Sequence, residues 1–515
     1  MKISFLKNTI ILTLTSQLLR LIGVFFIAYL SDKIGTEGVG LYQLIVSIYF
    51  LASTLATSGI GVTIARLVAE SLGKSKQKST SDVLRKSVMI SVVLGILVGI
   101  AVYYLADFIG ESLLGDQRAI LSIRMLAPGL PFMALTSCLH GYFYGVRKVL
   151  KPASQMIFEQ IIRVLIIMCI INMFVPKGLE YACFAVIMAS MISEALSCGY
   201  GFIQYRLEKR KSKFSVAKEA GIAKKIIAIT IPIALSSYLR SGLKTAESIL
   251  IPAGLKRYGA SRKDALSQFG MIGMVMPVLF FPSGILTAIA TLLLPEVSEA
   301  HAVGNTRKVK DIFARVFQFA LLLSLLFCGI FVAFANDFGM LIYKNRQISA
   351  LLTLIAPLLP LIYLDFIVDS MMTGLDQQLK TLKINIFDYT VRIGLILLLI
   401  PKFGVLAYIL ILYFSTFLNA TLSTRRLMYV SGTTVDYKNW ILKPFFSAAT
   451  AGALVRIIFK TLPGITISGL VLLVKVILFM VLYISILFLV GCVSGKDIDW
   501  LKKMAGRTKQ AALPD

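Results

Sequence analysis

Apolar runs of about 20 residues recur along the whole chain, separated by short polar segments. That is the length a helix needs to cross the hydrocarbon core of a bilayer. The runs are continuous rather than alternating, which predicts helices and argues against a transmembrane barrel. Fourteen spans fit the pattern: 8–30, 41–65, 87–106, 125–145, 155–175, 181–204, 227–252, 267–295, 317–336, 348–373, 384–400, 404–423, 445–463 and 466–493. The expected fold is an all-α polytopic membrane protein. Composition agrees, at 57% hydrophobic against 15% charged.

The spans repeat. SQLLR at 16–20 matches SSYLR at 236–240, and APGLPFM at 127–133 matches APLLPLI at 356–362. Asp82 pairs with Asp311, and Glu159 and Arg163 pair with Asp388 and Arg392. Beyond the first match, the offset is 229 residues throughout. Such self-similarity predicts two six-helix halves, 1–205 and 226–430, joined by a basic cytoplasmic linker at 206–225. An even number of spans makes the halves parallel repeats, with a transport path between them. Residues 431–515 add two further helices and a cytoplasmic tail.

A formal charge of +27 first suggests nucleic acid, but its distribution does not. With the N-terminus inside, 34 of the 53 Lys and Arg fall in cytoplasmic segments, the positive-inside bias of a multi-span protein. Both termini are therefore expected in the cytoplasm, and no nucleic-acid partner is expected. The loop at 71–86 reads as a basic topology determinant that also suits anionic lipid headgroups. The external loop at 255–266 breaks the trend with Lys256, Arg257, Arg262 and Lys263, for no reason visible in the sequence. Lys2 and Lys7 precede an apolar run as in a signal peptide, but Arg20 within the run and the missing cleavage site predict an uncleaved first helix. Six scattered cysteines form no disulfide framework, and two histidines are too few for a histidine-based metal site. There is no phosphate loop, dinucleotide fingerprint or nucleophile–histidine set, so the chain does not read as an enzyme.

Candidate chemistry lies in charges inside apolar spans. Arg240, Lys244 and Glu247 interrupt 231–254 at steps of four and three, which places them on one helix face. Such a stripe is costly in lipid, so it either pairs internally or lines a basic cavity for an anionic cargo. Arg20 is the repeat counterpart of Arg240, and Arg66 ends the second span as a cavity residue or an interfacial anchor. Glu159/Arg163 reads as an internally neutralised pair. Asp388/Arg392 reads either as such a pair or, with Asn385 and Glu247, as an oxygen-rich cation site. Asp365 and Asp369 form a second acid pair, and His140 reads as a satisfied core group or a proton relay. Pro277, Pro282 and Gly284 predict a bent eighth span. Arg456 and Lys475 read as snorkelling cations, Trp440 and Trp500 as interfacial anchors, and the tail from Lys496 as loose.

The segments GTEGVGLYQL (35–44), GYFYG (141–145) and LLPEVSEA (293–300), on twelve repeated helices plus two, resemble the stage V sporulation protein B family. That family sits among the polysaccharide and lipid-linked oligosaccharide flippases, in the superfamily that includes multidrug and toxin extrusion transporters. The resemblance implies a flippase that moves an undecaprenyl-diphosphate-linked sugar precursor, namely the lipid-linked peptidoglycan precursor for spore cortex, across the cytoplasmic or forespore membrane. It implies alternating access driven by membrane potential or a cation gradient, with no cofactor beyond a coupling Na⁺ or H⁺. Membrane lipid, the lipid-linked glycan and cell-wall synthesis proteins are the implied partners. Related flippases of the peptidoglycan precursor place arginines in the first, second and eighth helices. Arg20 fits the first position and Arg66 the second loosely. The eighth helix has no arginine, so Arg240 and Lys244 would substitute. The resemblance also implies a cation site from the seventh, eleventh and twelfth helices, here Glu247, Asn385, Asp388 and Thr416, and a lipid-tail groove along the last two. A cation-coupled drug antiporter of the same superfamily and a non-transporting scaffold for wall synthesis are the rival readings.

Overall fold

The computed structural model describes residues 2–73, 80–211, 221–433, 435–461 and 468–492. Parts of the basic loop and of the linker (74–79 and 212–220), Trp500 and the tail from Lys496 lie outside them. The described residues form helices and turns without a strand. In chain order the α-helices are α1 (Lys2–Thr57), α2 (Ile60–Gly73), α3 (Thr80–Tyr104), α4 (Ile120–Leu126), α5 (Leu130–Gly145), α6 (Leu150–Phe174) and α7 (Leu179–Lys211). There follow α8 (Ile222–Arg257), α9 (Arg262–Phe280), α10 (Ser283–Ala302), α11 (Thr306–Ala333), α12 (Ala335–Tyr343), α13 (Arg346–Ile355) and α14 (Leu359–Gly374). The last are α15 (Gln378–Ser431), α16 (Lys443–Lys460) and α17 (Gly469–Leu489). The chain is thus an all-α, multi-span membrane protein. By length and composition 11 helices can cross a bilayer, or 12 if a bent pair counts as one span. One of these, Ile10–Leu72, runs for 63 residues and another, Gln378–Ser431, for 54, each longer than one crossing requires.

Glycine and proline set the breaks. Within α1, Gly35 has φ 69° and ψ −179°, and within α15, Gly404 has φ 62° and ψ −142°. Backbone in that region is close to glycine-only, so these two residues fix where each long helix turns. The paired prolines act more gently. Ala127–Gly129, before α5, tightens to one turn of 3₁₀ helix, and so does Ala356–Leu358, before α14, at the same 229-residue offset. The expected bend in the eighth span is present: α9 and α10 meet at 53°, with Pro282 capping α10.

Contacts group the chain into two compact units. One holds 14–270 and 393–405; the other holds the described parts of 1–13, 271–392 and 406–515. These units differ from the sequence-repeat halves, because α8 packs with the N-terminal helices. Tyr238 Oη donates to the Leu55 carbonyl at 3.0 Å, and Thr245 Oγ1 to the Ser47 carbonyl at 3.1 Å. Ile60, Ile64, Val68, Cys138, Phe143 and Ile226 form an apolar core in this first unit.

In the second unit α16 and α17 pack on α11. Phe479, Tyr483, Ala451 and Val455 meet Ile330 and Phe334, and Tyr483 Oη donates to the Leu322 carbonyl at 3.0 Å. Three sequence expectations change here. Arg456 does not snorkel alone: it donates to the Val332 and Ala333 carbonyls at 3.0 and 3.2 Å, completing the C-terminus of α11 where a cation is favoured. Lys475 pairs with Asp337 at 2.6 Å and lies over the Phe459 ring. Trp440 is not an exposed anchor but is buried against Phe317, with ring centroids 5.6 Å apart.

Candidate cargo and cation sites

The proposed cargo cations all lie in the first unit. Arg240 and Lys244 on α8 are exposed, and the Lys244 ammonium sits 5.9 Å from the centroid of the Phe50 ring. Glu247, one turn on, is buried, whereas the two cations are not. Side-chain reach and the packing of α8 against α1 decide this, not the angle along the helix alone. Arg20 on α1 is half-buried and engaged in an interaction, and Arg66 on α2 is exposed.

The same unit answers the puzzle of the basic external loop. Arg262 donates to the Gly115 carbonyl at 2.7 Å and pairs with Asp116 at 2.8 Å, while Lys256 reaches the Gly115 carbonyl at 3.3 Å. Asp116 is 1% exposed and also holds Arg118, which bridges to Glu37 at 2.8 Å. The loop's positive charge therefore neutralises a buried acid far away in sequence.

A cavity of about 490 Å³ opens among α2, α5, α6 and α7. Thr136, His140 and Tyr144 line it from α5, Glu159 from α6, and Glu194 from α7. Glu159 is ion-paired with Arg163, which also donates to Gln160 at 3.2 Å. Glu194 is 5% exposed. It was not singled out from the sequence, although a lone acid inside the apolar run 181–204 is the signal that would have found it.

The second unit holds the Asp388 cluster. Asp388 is 1% exposed; Arg392 donates to it at 2.9 Å and to Ser415 Oγ at 2.8 Å, and the Ser415 hydroxyl in turn donates to Asp388. The hydroxyl in contact is thus that of Ser415, while Thr416, one residue on, is half-buried. A second group lies alongside: Asn419 Nδ2 donates to Asn385 Oδ1 at 3.3 Å and to Asp365 Oδ2 at 3.4 Å, leaving Asp365 Oδ1 buried without a hydrogen-bond partner. The structure therefore joins Asn385 to Asp365, and Asp388 to Arg392. Glu247 belongs to the other unit. Among the described residues no three His, Cys, Asp or Glu side chains converge as a metal site.

Residues 5–301, more than half of the chain, match the family described as polysaccharide biosynthesis protein. The chain belongs to that family. It is 26% identical over 413 residues to stage V sporulation protein B of Bacillus subtilis (strain 168), covering 79% of this chain and 80% of that protein. Its fold is shared with solved membrane transporters. A structure of the lipid II flippase MurJ in an inward closed conformation superposes with TM-score 0.68 at 11% identity, over 93% of this chain and 98% of that one. An inward-facing multidrug resistance MATE family transporter of the MOP superfamily superposes with TM-score 0.63 at 15% identity, over 81% of this chain and 96% of that one.

Proposed function

We propose that this family member is a flippase for an undecaprenyl-diphosphate-linked sugar precursor in the bacterial cytoplasmic or forespore membrane, the lipid-linked peptidoglycan precursor of spore cortex being the first candidate. The observation that carries the reading is coverage. The lipid II flippase accounts for 93% of the chain, whereas the MATE transporter, itself matched over 96%, leaves about a fifth of this chain without a counterpart. The likeness to stage V sporulation protein B over 413 residues supports a role in spore-wall assembly.

The chemistry follows from the cargo. A diphosphate cannot enter hydrocarbon with its charge unscreened, and arginine offers a planar donor fork matched to phosphate oxygens. Arg20, Arg66, Arg240 and Lys244 supply that charge in this reading, and the isoprenoid tail stays in lipid. With the cell interior negative, outward movement of the anion gains roughly 2.3 kcal/mol per charge per 100 mV. A cation held by Asp365, Asn385 and Asn419, beside the Asp388–Arg392 pair, resets the cycle. Na⁺ and H⁺ both suit those oxygens.

The test is flipping of fluorescent undecaprenyl-diphosphate-linked disaccharide-pentapeptide in liposomes under an imposed potential, wild type beside Arg240→Ala. Potential-dependent flipping that falls at least tenfold in the variant is expected. Equal flipping by both removes the cationic-site idea, and no flipping by correctly oriented wild type removes this cargo. One observation favours a second reading, cation-coupled drug antiport: the cavity in the first unit is lined by acids and Tyr144. Efflux of a cationic dye from the same liposomes separates the two.

A further inference from the structure

The basic loop that neutralises Asp116 also ties the two sequence halves together. We propose that this clasp is a latch: it holds the protein closed at the membrane end that the charge bias assigns to the outside, and it must release before that end can open. The inference rests on the transporter fold, and neither it nor its test depends on the identity of the cargo.

Geometry comes first. Gly115 and Asp116 lie between α3 and α4 in the first half, and they receive Lys256 from the end of α8 and Arg262 from the start of α9 in the second. Arg118 donates to both Asp116 oxygens, at 3.0 and 2.9 Å, and its third nitrogen reaches Glu37 on α1 at 2.8 Å. Beside Glu37, α9 crosses α1 directly. The Thr36 and Ser267 hydroxyls meet there, and a Cβ on Gly40 or Gly270 would overlap a carbonyl of the opposite helix. Ion pairs, hydroxyls and glycines thus fasten α1 to α9 at one end of the first unit.

The 229-residue repeat separates the charge of Asp116 from its local structural duty. Asn345 is the counterpart of Asp116, and each caps the turn that follows it. The Asp116 carboxylate accepts from the Arg118 amide, and the Asn345 side chain accepts from the Gln347 amide. A neutral side chain therefore suffices at this cap. What the carboxylate adds is its hold on two arginines, and the second half has Gln347 where the first has Arg118.

These contacts are of a kind that can part and re-form. Separating polar groups and glycine surfaces bares little apolar area. The Arg262 side chain is 44% exposed and that of Arg118 30%, so water takes over their charges as they leave. Asp116, at 1%, is sealed, so it is the group that resists release. The ion pair at the other end of α8 is of a different kind. Lys225 meets Glu70 at 3.1 Å with 51% and 33% of the two side chains exposed, and exposed pairs hold weakly. The two ends of α8 are unequally fastened, and at rest the clasped end stays shut.

The experiment is distance measurement by pulsed electron spin resonance on the full chain in lipid nanodiscs, without cargo. Cys169 and Cys328, which are not buried, are replaced by alanine. One pair of spin labels, at Lys33→Cys on α1 and Lys263→Cys on α9, reports on the helices; a second, at Ser112→Cys and Arg257→Cys, reports on the loops. One dominant distance is expected for each pair while the clasp is intact. Asp116→Asn, which keeps the cap, and Arg262→Gln should each add a longer distance to the helix pair and lower the closed-to-open ratio about tenfold. The two changes together should go no further than either alone. A helix pair that keeps its single distance in both variants overturns the proposal, and broadening of the loop pair alone reduces the clasp to a structural clip. Equal opening in Lys225→Gln also overturns it, by removing the difference between the ends. Should Asp116→Asn not fold, Arg262→Gln decides. Because no cargo is present, failure here leaves the flippase reading standing, and failure of flipping in liposomes leaves the latch standing.

Discussion

At the level of single residues, the buried charges separate into those that hold the structure and those free to bind. Asp388 has its oxygens engaged by Arg392 and Ser415, whereas Asp365 keeps one oxygen unpartnered. Asp365→Asn is therefore expected to abolish the dependence of transport on Na⁺ or pH while the protein stays folded. Asp388→Asn should lower thermal stability first; a cation series on both variants, paired with melting curves, checks the order. The Glu159–Arg163 pair gives a second test. Removing one partner leaves a buried charge and costs up to about 3 kcal/mol, whereas Glu159→Gln with Arg163→Gln together should recover most of that loss. Equal melting temperatures in the double variant and the worse single one would deny the coupling. Both ion pairs were legible from their i, i+4 spacing, because a helix brings such residues together whatever surrounds it. Ser415, Asn419 and Glu194 were not singled out, since nothing local marks a polar side chain that finds its partner on another helix.

At the level of helices, the motif GTEGVG becomes a set of backbone requirements. Gly35 carries the break in α1, and a Cβ on Gly40 would overlap the Leu266 carbonyl, as one on Gly270 would overlap the Thr36 carbonyl. Thr36 and Ser267 hydroxyls meet at 2.5 Å beside this crossing. Gly35→Val should cost about 1–3 kcal/mol through strain alone, because nothing crowds its Cβ. Gly40→Ala should cost at least as much through displaced backbone. Melting curves of the two variants in nanodiscs would show this, and a wild-type value for Gly35→Val would mean that α1 can straighten there. Helix positions and the bend at Pro282 were readable in advance, because proline and apolar length act locally. The engagement of Arg456 and Lys475 was not, because a cation looks the same in sequence whether it snorkels to the interface or caps a neighbouring helix.

At the level of the whole molecule, the repeat describes the order of helices and the contacts describe how they pack, and the two partitions differ at α8. The external loop shows why. Arg262 and Lys256, in the second sequence half, close on Gly115 and Asp116, nearly 150 residues earlier in the first. Arg262→Ala should weaken this closure by about 1–2 kcal/mol and speed amide exchange at 255–262 and 115–118 together. Exchange that rises in one segment alone would show that the clasp does not join them.

The sequence by itself determined that the chain is a multi-span helical membrane protein, that its eighth span bends at proline, and which family it resembles, but not the number of spans, expected as fourteen where 11 or 12 helices pass by length and composition among the described residues. Those properties depend on hydrophobic length and on residues adjacent in the chain. Only the tertiary structure decided that the basic loop serves a buried aspartate, that Glu247 is buried while Arg240 and Lys244 are exposed, and that Glu194 and Glu159 line one cavity. Each of these depends on how one helix is rotated against another, and that rotation is set by side-chain packing over the whole interface rather than by any short stretch of sequence.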